Sequence, residues 1–316
     1  MRFLALALCA LVSVTASAQP FPSKTVRWIV PFPPGGATDI IARIVAQKMT
    51  ETWSEPVVVE NRAGAAGAIG SDVVAKAAAD GYTILMGTTS THAVGPAINP
   101  RLPYTLADFT PITLVATFPN VLVAHPSTAA SLEDLIALLK ANPGKYAFGS
   151  SGAGSSTHLT GELFKLMTHT DVNHIPYKGT GPLLNDLMGG QVAFAFDQIT
   201  AVMSPIQAGK MRALGVASRS RNPALPDVPA IAEVLPGFES IAWVGILGPA
   251  RMAPEVTGKI QQETKRILAL PDIAQRMKEL GATPVASAPA DFAAFMAKDT
   301  EKWRNLVASA NIKIEQ

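Results

Sequence analysis

The chain has 316 residues, 48% of them hydrophobic, with 26 Lys and Arg against 24 Asp and Glu and a formal net charge of +2. A balance that even, with no Lys/Arg cluster and no basic stripe interleaved with aromatics, argues against nucleic acid as a partner. A single cysteine, Cys9, rules out an internal disulfide framework, and so long a chain exceeds what one core usually serves, so two domains are expected.

The first predicted element is an export leader. Met1-Arg2 is followed by an apolar run from Phe3 to about Thr15 and then by Ala16-Ser17-Ala18, the charged, hydrophobic and small-residue layout of a secretory signal, with cleavage expected after Ala18. The run is shorter than the roughly 20 apolar residues a membrane span needs. Cys9 falls inside it, so the mature chain is expected to carry no thiol. Leu8 in front of Cys9 argues against a lipid anchor. The predicted location is the periplasm of a bacterium.

Strand-like and helix-like segments then alternate. Val26 to Val30, a helix Thr38 to Glu51, Val57 to Val59, a helix Ser71 to Ala79 and Thr83 to Met86 form a βαβαβ run. A second alternation follows: Val121 to Ala124, helix Ser131 to Lys140, Tyr146 to Gly149, helix Ser156 to Met167, a strand ending at Ile175, helix Pro182 to Met188, Val192 to Phe196 and Arg212 to Ala217. Beyond the proline-rich connection Asn222 to Pro229 come a strand Ile241 to Leu247 and three helices starting near Pro254, Pro271 and Pro289, each with Pro where a missing N–H costs nothing. This predicts an α/β fold of two lobes, each a sheet flanked by helices. If Ile241 to Leu247 rejoins the first sheet, the chain crosses between lobes twice and leaves a cleft where ligands prefer to bind.

The most informative local feature is Pro31-Phe32-Pro33-Pro34-Gly35-Gly36-Ala37-Thr38-Asp39, which joins the first strand to the first helix. The first N–H groups of a helix have no partner within it and carry partial positive charge, so such a turn can hold a small anion without Arg or Lys. Pro33 and Pro34 stiffen the approach, Gly35 and Gly36 allow close contact with the main chain, and Thr38 reads as the N-cap. Asp39 would repel a bound carboxylate, so it is expected to point aside and to cap backbone or order water.

Gly149-Ser150-Ser151-Gly152-Ala153-Gly154-Ser155-Ser156-Thr157-His158 is a second such turn, with hydroxyls added. Its Ser155, Ser156 and Thr157 either cap the helix or touch ligand. A third, Pro176-Tyr177-Lys178-Gly179-Thr180-Gly181-Pro182, offers Tyr177 and Lys178, which either meet an acid or pack and face solvent. Thr88, Thr89 and Ser90 follow a strand end, and Asp197 closes another. Gly64 to Gly70 reads as a structural turn in preference to a ligand contact.

No catalytic, metal or cofactor constellation is present. The five histidines lack zinc-protease spacing, no phosphate loop occurs, and Ala153 stands where a nucleophile elbow needs Gly. Two rival readings share these residues. One is a hydrolase using a hydroxyl from Ser150 to Ser156 with His158 as base, and the other is a ligand-sensing receptor of a signalling system.

Pro22-Ser23-Lys24, Val30 to Gly36 with Asp39, Val58 to Gly64, Asp80-Gly81-Tyr82-Thr83, Pro176 to Gly179, Gly190-Gln191-Val192 and Leu225 to Pro229 together closely resemble the Bug family of extracytoplasmic solute receptors, the binding proteins of tripartite tricarboxylate transport systems. The likeness runs from about Phe21 to the C-terminus. It implies a type II-like periplasmic binding protein, with residues 1-18 as leader, 19-122 and 238-316 as one lobe and 123-237 as the other. It also implies a carboxylate ligand, inner-membrane transporter subunits as partners, a monomer and no cofactor. In the family, carboxylate oxygens are held largely by main-chain amides, hydroxyls and water from turns like those at Phe32 to Thr38, Thr88 to Ser90 and Ser150 to Thr157. Taken with the readings above, in which Asp197 could hold a ligand amine or water, the candidate ligand-binding residues are Phe32, Pro34, Gly35, Gly36, Ala37, Thr38, Asp39, Thr88, Thr89, Ser90, Ser150, Ser151, Gly152, Ser155, Ser156, Thr157, Tyr177, Lys178, Gly179 and Asp197. Arg62 is expected to be structural.

Overall fold

The computed structural model describes residues 21–310, so the leader, its cleavage site and Cys9 lie outside the described residues. The chain begins as read from its periodicity: β1 (Val26–Val30), α1 (Ala37–Trp53), β2 (Val57–Asn61), α2 (Ala68–Ala75) and β3 (Thr83–Thr88). A short α3 (Gly95–Ile98) and a long β4 (Phe109–Ala124) follow. Then come α4 (Leu132–Ala141), β5 (Ala147–Ser150), α5 (Ser156–Thr168), β6 (Asn173–Pro176), α6 (Thr180–Met188), β7 (Phe194–Gln198), α7 (Ile199–Gln207) and β8 (Arg212–Val216). The chain closes with β9 (Ile241–Pro249), α8 (Pro254–Leu268), α9 (Pro271–Glu279), β10 (Thr283–Pro284) and α10 (Pro289–Ala310).

The strands run in the order β2-β1-β3-β9-β4-β7-β5-β6, with β10 and β8 also paired to β4. β1 pairs in parallel with both β2 and β3, and β5 does so with β6 and β7. Both halves are therefore built from crossovers through helices, which bury both faces of a strand. The side-chain period of two divides the first half cleanly. Trp28, Val30, Ile84, Met86, Val244 and Ile246 pack on one face with Ile41, Val45 and Met49 of α1 and Ile260 of α8. Ile29, Leu85, Trp243 and Leu247 point the other way, into Val74 of α2 and Phe292, Met296 and Trp303 of α10. The second half has its own core, in which Phe148, Phe194 and Phe196 meet Leu135 of α4 and Phe164 of α5.

β4 carries the chain from one half to the other. Phe109 to Pro119 pair with β9, whereas Asn120 to Ala124 pair with β7, so the change of partner falls between Pro119 and Asn120. The return lies alongside: Asn120 N–H donates to Ser240 O at 3.1 Å, and Ser240 N–H donates to Ala217 O at 2.8 Å. The fold is thus two-lobed, with two adjacent crossings.

Several elements differ from their sequence-based bounds. The strand expected at Val121 to Ala124 is sixteen residues long. Pro111 and Pro119 argue for breaks, but register shifts between Pro111 and Thr113 and between Leu114 and Ala116 let the pairing continue. The N-cap of α1 is Gly36, with φ −79° and ψ 168°, and Thr38 lies inside the first turn. α2 and α6 start earlier than expected, at Ala68 and Thr180, and α7 is a helix that the sequence did not announce, because Pro205 interrupts its pattern.

Candidate functional site

The turn after β1 is shaped by its glycines. Gly35 has φ +88°, a left-handed conformation that favours glycine. A Cβ on Gly36 would stand 3.7 Å from the Thr180 hydroxyl, so the start of α1 faces the start of α6 across the two halves. Asp39 turns aside, as expected. It accepts from the Gly35 N–H at 3.0 Å, from Arg43 Nε at 3.0 Å and from Asn61 Nδ2 at 2.9 Å. Burial pushes its carboxyl up, but Arg43 and these donors outweigh that and hold it below the ordinary value. Asn61 also donates to Phe32 O at 3.0 Å, which locks the turn. Arg62 lies on the exposed side, paired with Glu60 at 3.2 Å.

A narrow cavity of about 20 Å³ lies where four helices begin. Its walls include Gly36, Ala37 and Thr38 at the start of α1, Ser156 of α5, Thr180 of α6 and Gln198 in front of α7. Gly36, Gly179 and Gln198, the caps of α1, α6 and α7, provide no side-chain hydrogen bond to their helices. The leading amides there keep the donor capacity that every helix start has to spare. Thr88, Thr89, Ser90 and Ser151 add hydroxyls, while Phe32, Pro33, Phe118, Ala242 and Trp243 supply apolar wall. Among the described residues no Lys, Arg or His lines it. The volume is about that of one water.

Some hydroxyls are already engaged. Thr89 Oγ1 accepts from the Trp243 N–H at 2.8 Å. Ser90 Oγ accepts from the Ser156 N–H at 3.0 Å, a bond that joins the two halves directly. Behind Thr180 and Gln198 sits Asp197, fully buried, whose Oδ1 accepts from Thr180 Oγ1 at 3.2 Å and from the Gln198 N–H at 2.7 Å. Its Oδ2 has no hydrogen-bond partner among the described residues. Burial pushes this carboxyl up to about 7 against the pull of those two donors.

The serine-rich turn is braced from behind. Ser155 caps α5 by accepting from the His158 N–H at 3.2 Å, and Thr157 Oγ1 accepts from the Ser151 N–H at 3.0 Å. Ser150 Oγ meets His174 Nε2 at 2.7 Å, His158 Nδ1 accepts from the Gly154 N–H at 3.1 Å, and the two imidazoles stack with centroids 3.8 Å apart. Burial lowers both histidines, His158 to about 4 and His174 to about 3, with lesser contributions from Lys165 and, for His174, from His158.

A second cavity of about 680 Å³ adjoins the first and shares Phe32, Pro33, Ser90 and Ser151 with it. Ala63 to Ala68, Gly95, Ile98, Asn99, Leu102 and Tyr104 line one side, and Gly152 to Gly154 with Tyr177, Lys178 and Gly179 line the other. The Tyr177 hydroxyl is spent on Asp186 Oδ2 at 2.9 Å, so its ring forms the wall.

Of the residues singled out from sequence, Phe32, Gly36, Ala37, Thr38, Thr88, Thr89, Ser90, Ser151 and Ser156 line the narrow cavity, and Gly152, Tyr177, Lys178 and Gly179 line the wide one. Pro34, Gly35, Asp39, Ser150, Ser155, Thr157 and Asp197 line neither, and shape or brace the walls instead. Sequence reasoning passed over Thr180 and Gln198, although each stands next to a chosen residue at a strand-to-helix turn. It also passed over Phe118 and Trp243, which come from the crossing strands and carry no local signal. In the glycine-rich Gly64 to Gly70 turn a Cβ on Gly70 would stand 2.6 Å from Arg62 O, the close approach of a structural turn, and Gly64 and Gly67 are also among the residues that line the wide cavity. Among the described residues no group of three or more His, Cys, Asp or Glu could hold a metal ion, and no helix is long and apolar enough to cross a membrane.

Residues 41–312 match the family described as tripartite tricarboxylate transporter family receptor. The chain is 39% identical to Protein BugT of Bordetella pertussis over 96% of this chain and 94% of that protein. Among solved structures, R. palustris Rpa4515 with adipate superimposes with a TM-score of 0.90 at 34% identity, over 92% of this chain and 99% of the other. MatC from Rhodopseudomonas palustris with bound malate gives a TM-score of 0.86 at 32% identity, over 91% and 100%.

Proposed function

Because this chain belongs to the tripartite tricarboxylate transporter receptor family, we propose that it is a periplasmic receptor that captures a small carboxylate between its lobes and delivers it to inner-membrane transporter subunits. The observation that carries this reading is the narrow cavity at four helix starts, rich in amides and hydroxyls and free of cationic side chains. A carboxylate seated there exchanges water for charge-assisted hydrogen bonds, which are stronger than neutral ones. Neutral donors suit a protein that must also release its cargo, since a buried unmatched Arg would cost several kcal/mol in the empty state.

The lobes in this reading are residues 19–122 with 238–316, and 123–237, behind a leader removed after Ala18, and the receptor acts as a monomer. Ligand bridging the starts of α1 and α6 favours the closed arrangement by its difference in affinity for the two states. A receptor is favoured over a hydrolase by the engaged side chains of the serine turn. Ser150 is fully buried, out of reach of a substrate, and the Nδ1 of His158, the base such a hydrolase would use, is taken by the Gly154 N–H.

The test is a thermal-shift screen over mono-, di- and tricarboxylates, each beside its methyl ester. A ligand that binds only the native state raises the melting temperature by mass action. At least one free acid is expected to give a saturable rise that its ester does not. A melt unchanged across the whole panel, or esters as effective as acids, would sink the proposal.

A further inference from the structure

The two cavities differ too much to be one site for a compact acid. The narrow one, at about 20 Å³, leaves space for no more than a small group, so of a ligand it suits the head alone. A ligand whose head sits there has to lay the rest of itself past the shared walls Phe32, Pro33, Ser90 and Ser151 into the adjoining cavity of about 680 Å³. That cavity is of the size that encloses a small organic molecule. Among the described residues its wall is mostly alanine, glycine and large apolar side chains, with no Asp or Glu. Lys178 is the one charged residue among them and is exposed. An ion pair made there would be screened by solvent and contribute little.

The hydroxyl side chains on that wall are already engaged, Ser90 Oγ by the Ser156 N–H, Ser151 Oγ with Thr157 Oγ1 and the Tyr104 hydroxyl with Thr91 O, so it offers few side-chain partners for a ligand's hydroxyl groups. A hydroxylated or branched acid placed in it would leave polar groups desolvated and unpaired, which is costly, whereas an aromatic ring or a straight hydrocarbon chain would gain by leaving water.

We infer that the ligand is an elongated carboxylate with an apolar body, aromatic or straight-chain, whose head occupies the narrow cavity and whose body fills the wide one, in preference to a compact hydroxy acid. This rests on the receptor reading given above and adds the class of acid selected.

Isothermal titration of the full mature chain with 3-phenylpropanoate and with malate tests it. 3-Phenylpropanoate is expected to bind about tenfold or more tightly than malate, because a buried ring is worth at least one decade of affinity. Ala153→Phe, from a half-buried position, and Ala63→Phe, from an exposed one, each add a ring at the wall of the wide cavity, and each should bring the ratio of the two affinities down towards one. Malate binding as tightly as 3-phenylpropanoate, or a ratio that neither substitution changes, would overturn the inference and leave the receptor reading standing. If neither of these acids nor any other carboxylate bound the wild-type chain, both would fall.

Discussion

Asn120 donates its side-chain amide to the Ser240 hydroxyl at 2.9 Å, and the two residues stand at the two points where the chain passes between its halves. The same amide donates to Thr160 Oγ1 at 2.8 Å, and Thr160 and Ser240 are themselves 2.6 Å apart. All three are fully buried. The crossing therefore holds a closed triangle of buried polar side chains, and β4 passes to its second set of partners directly at that triangle.

Asn120→Ala leaves Ser240 and Thr160 bonded to each other but removes both amide bonds and opens a small void. The expected cost is about 1–3 kcal/mol, seen as a lower midpoint in urea unfolding with an unchanged slope. Stability equal to wild type would show that the triangle holds nothing together.

Gly36→Val directs a branched side chain at Thr180 from a backbone position any residue can adopt. Replacing a good N-cap by a poor one should lower the unliganded melting temperature by no more than about 4 °C. The affinity for the best acid of the thermal-shift panel should fall at least tenfold, because the methyl groups enter the narrow cavity. Full affinity in this variant would remove the start of α1 from the site.

Ser90→Ala deletes the acceptor for the Ser156 N–H and with it a direct bond between the halves. The closed arrangement should become less populated. A ligand affinity lower by about three- to tenfold is expected, together with a larger radius of gyration for the unliganded protein in small-angle scattering. An unchanged radius with an unchanged affinity would count against a closing role for this contact.

Asp197 ties stability to pH with a definite sign. Its folded-state carboxyl is pushed up to about 7, whereas the unfolded chain ionises near the ordinary value of 3.8. Between those values the folded protein holds a proton that the unfolded chain has released, so this residue makes stability fall as pH rises and level off above about 7. Asp197→Asn keeps an acceptor for Thr180 and the Gln198 N–H but cannot ionise. It should be more stable than wild type at pH 8 by on the order of 2–4 kcal/mol, with the difference vanishing towards pH 4. Guanidinium midpoints across that range measure it, and a constant difference would refute the assignment.

The stacked histidines act in the opposite sense. His158 and His174 sit at about 4 and about 3 when folded, against an ordinary 6.5. Below 6.5 the unfolded chain takes up protons that the folded one resists, so their contribution is complete above 6.5 and is lost as pH falls towards 4. His174→Gln retains a partner for Ser150 and removes one titrating ring. Its unfolding midpoint should decline less than that of wild type between pH 6.5 and 4, and an equal decline would place the acid sensitivity elsewhere.

Much of the molecule could be read from neighbouring residues alone. The βαβαβ opening, the proline-led helices at Pro254, Pro271 and Pro289, and the glycine turn after β1 all follow from hydrophobic period and from the limits Pro and Gly impose on their own backbone. Those effects act within a few residues and survive without knowledge of the rest of the chain. The unbroken course of β4 was hidden, because Pro111 and Pro119 carry a local signal for breaks, whereas pairing with β9 absorbs the first beside a register shift and places the second in register opposite Ile241 at the start of β9. The meeting of Gly36 with Thr180, of Ser90 with Ser156, and of Phe118 and Trp243 with the same small void depends on how the two halves close on each other. No residue announces a partner in another lobe through its own sequence surroundings, and the contrast between a water-sized pocket and a large apolar one is a property of the space left between elements. Chemistry at the turns was therefore written locally, while the shape that selects a ligand came from packing over long separations.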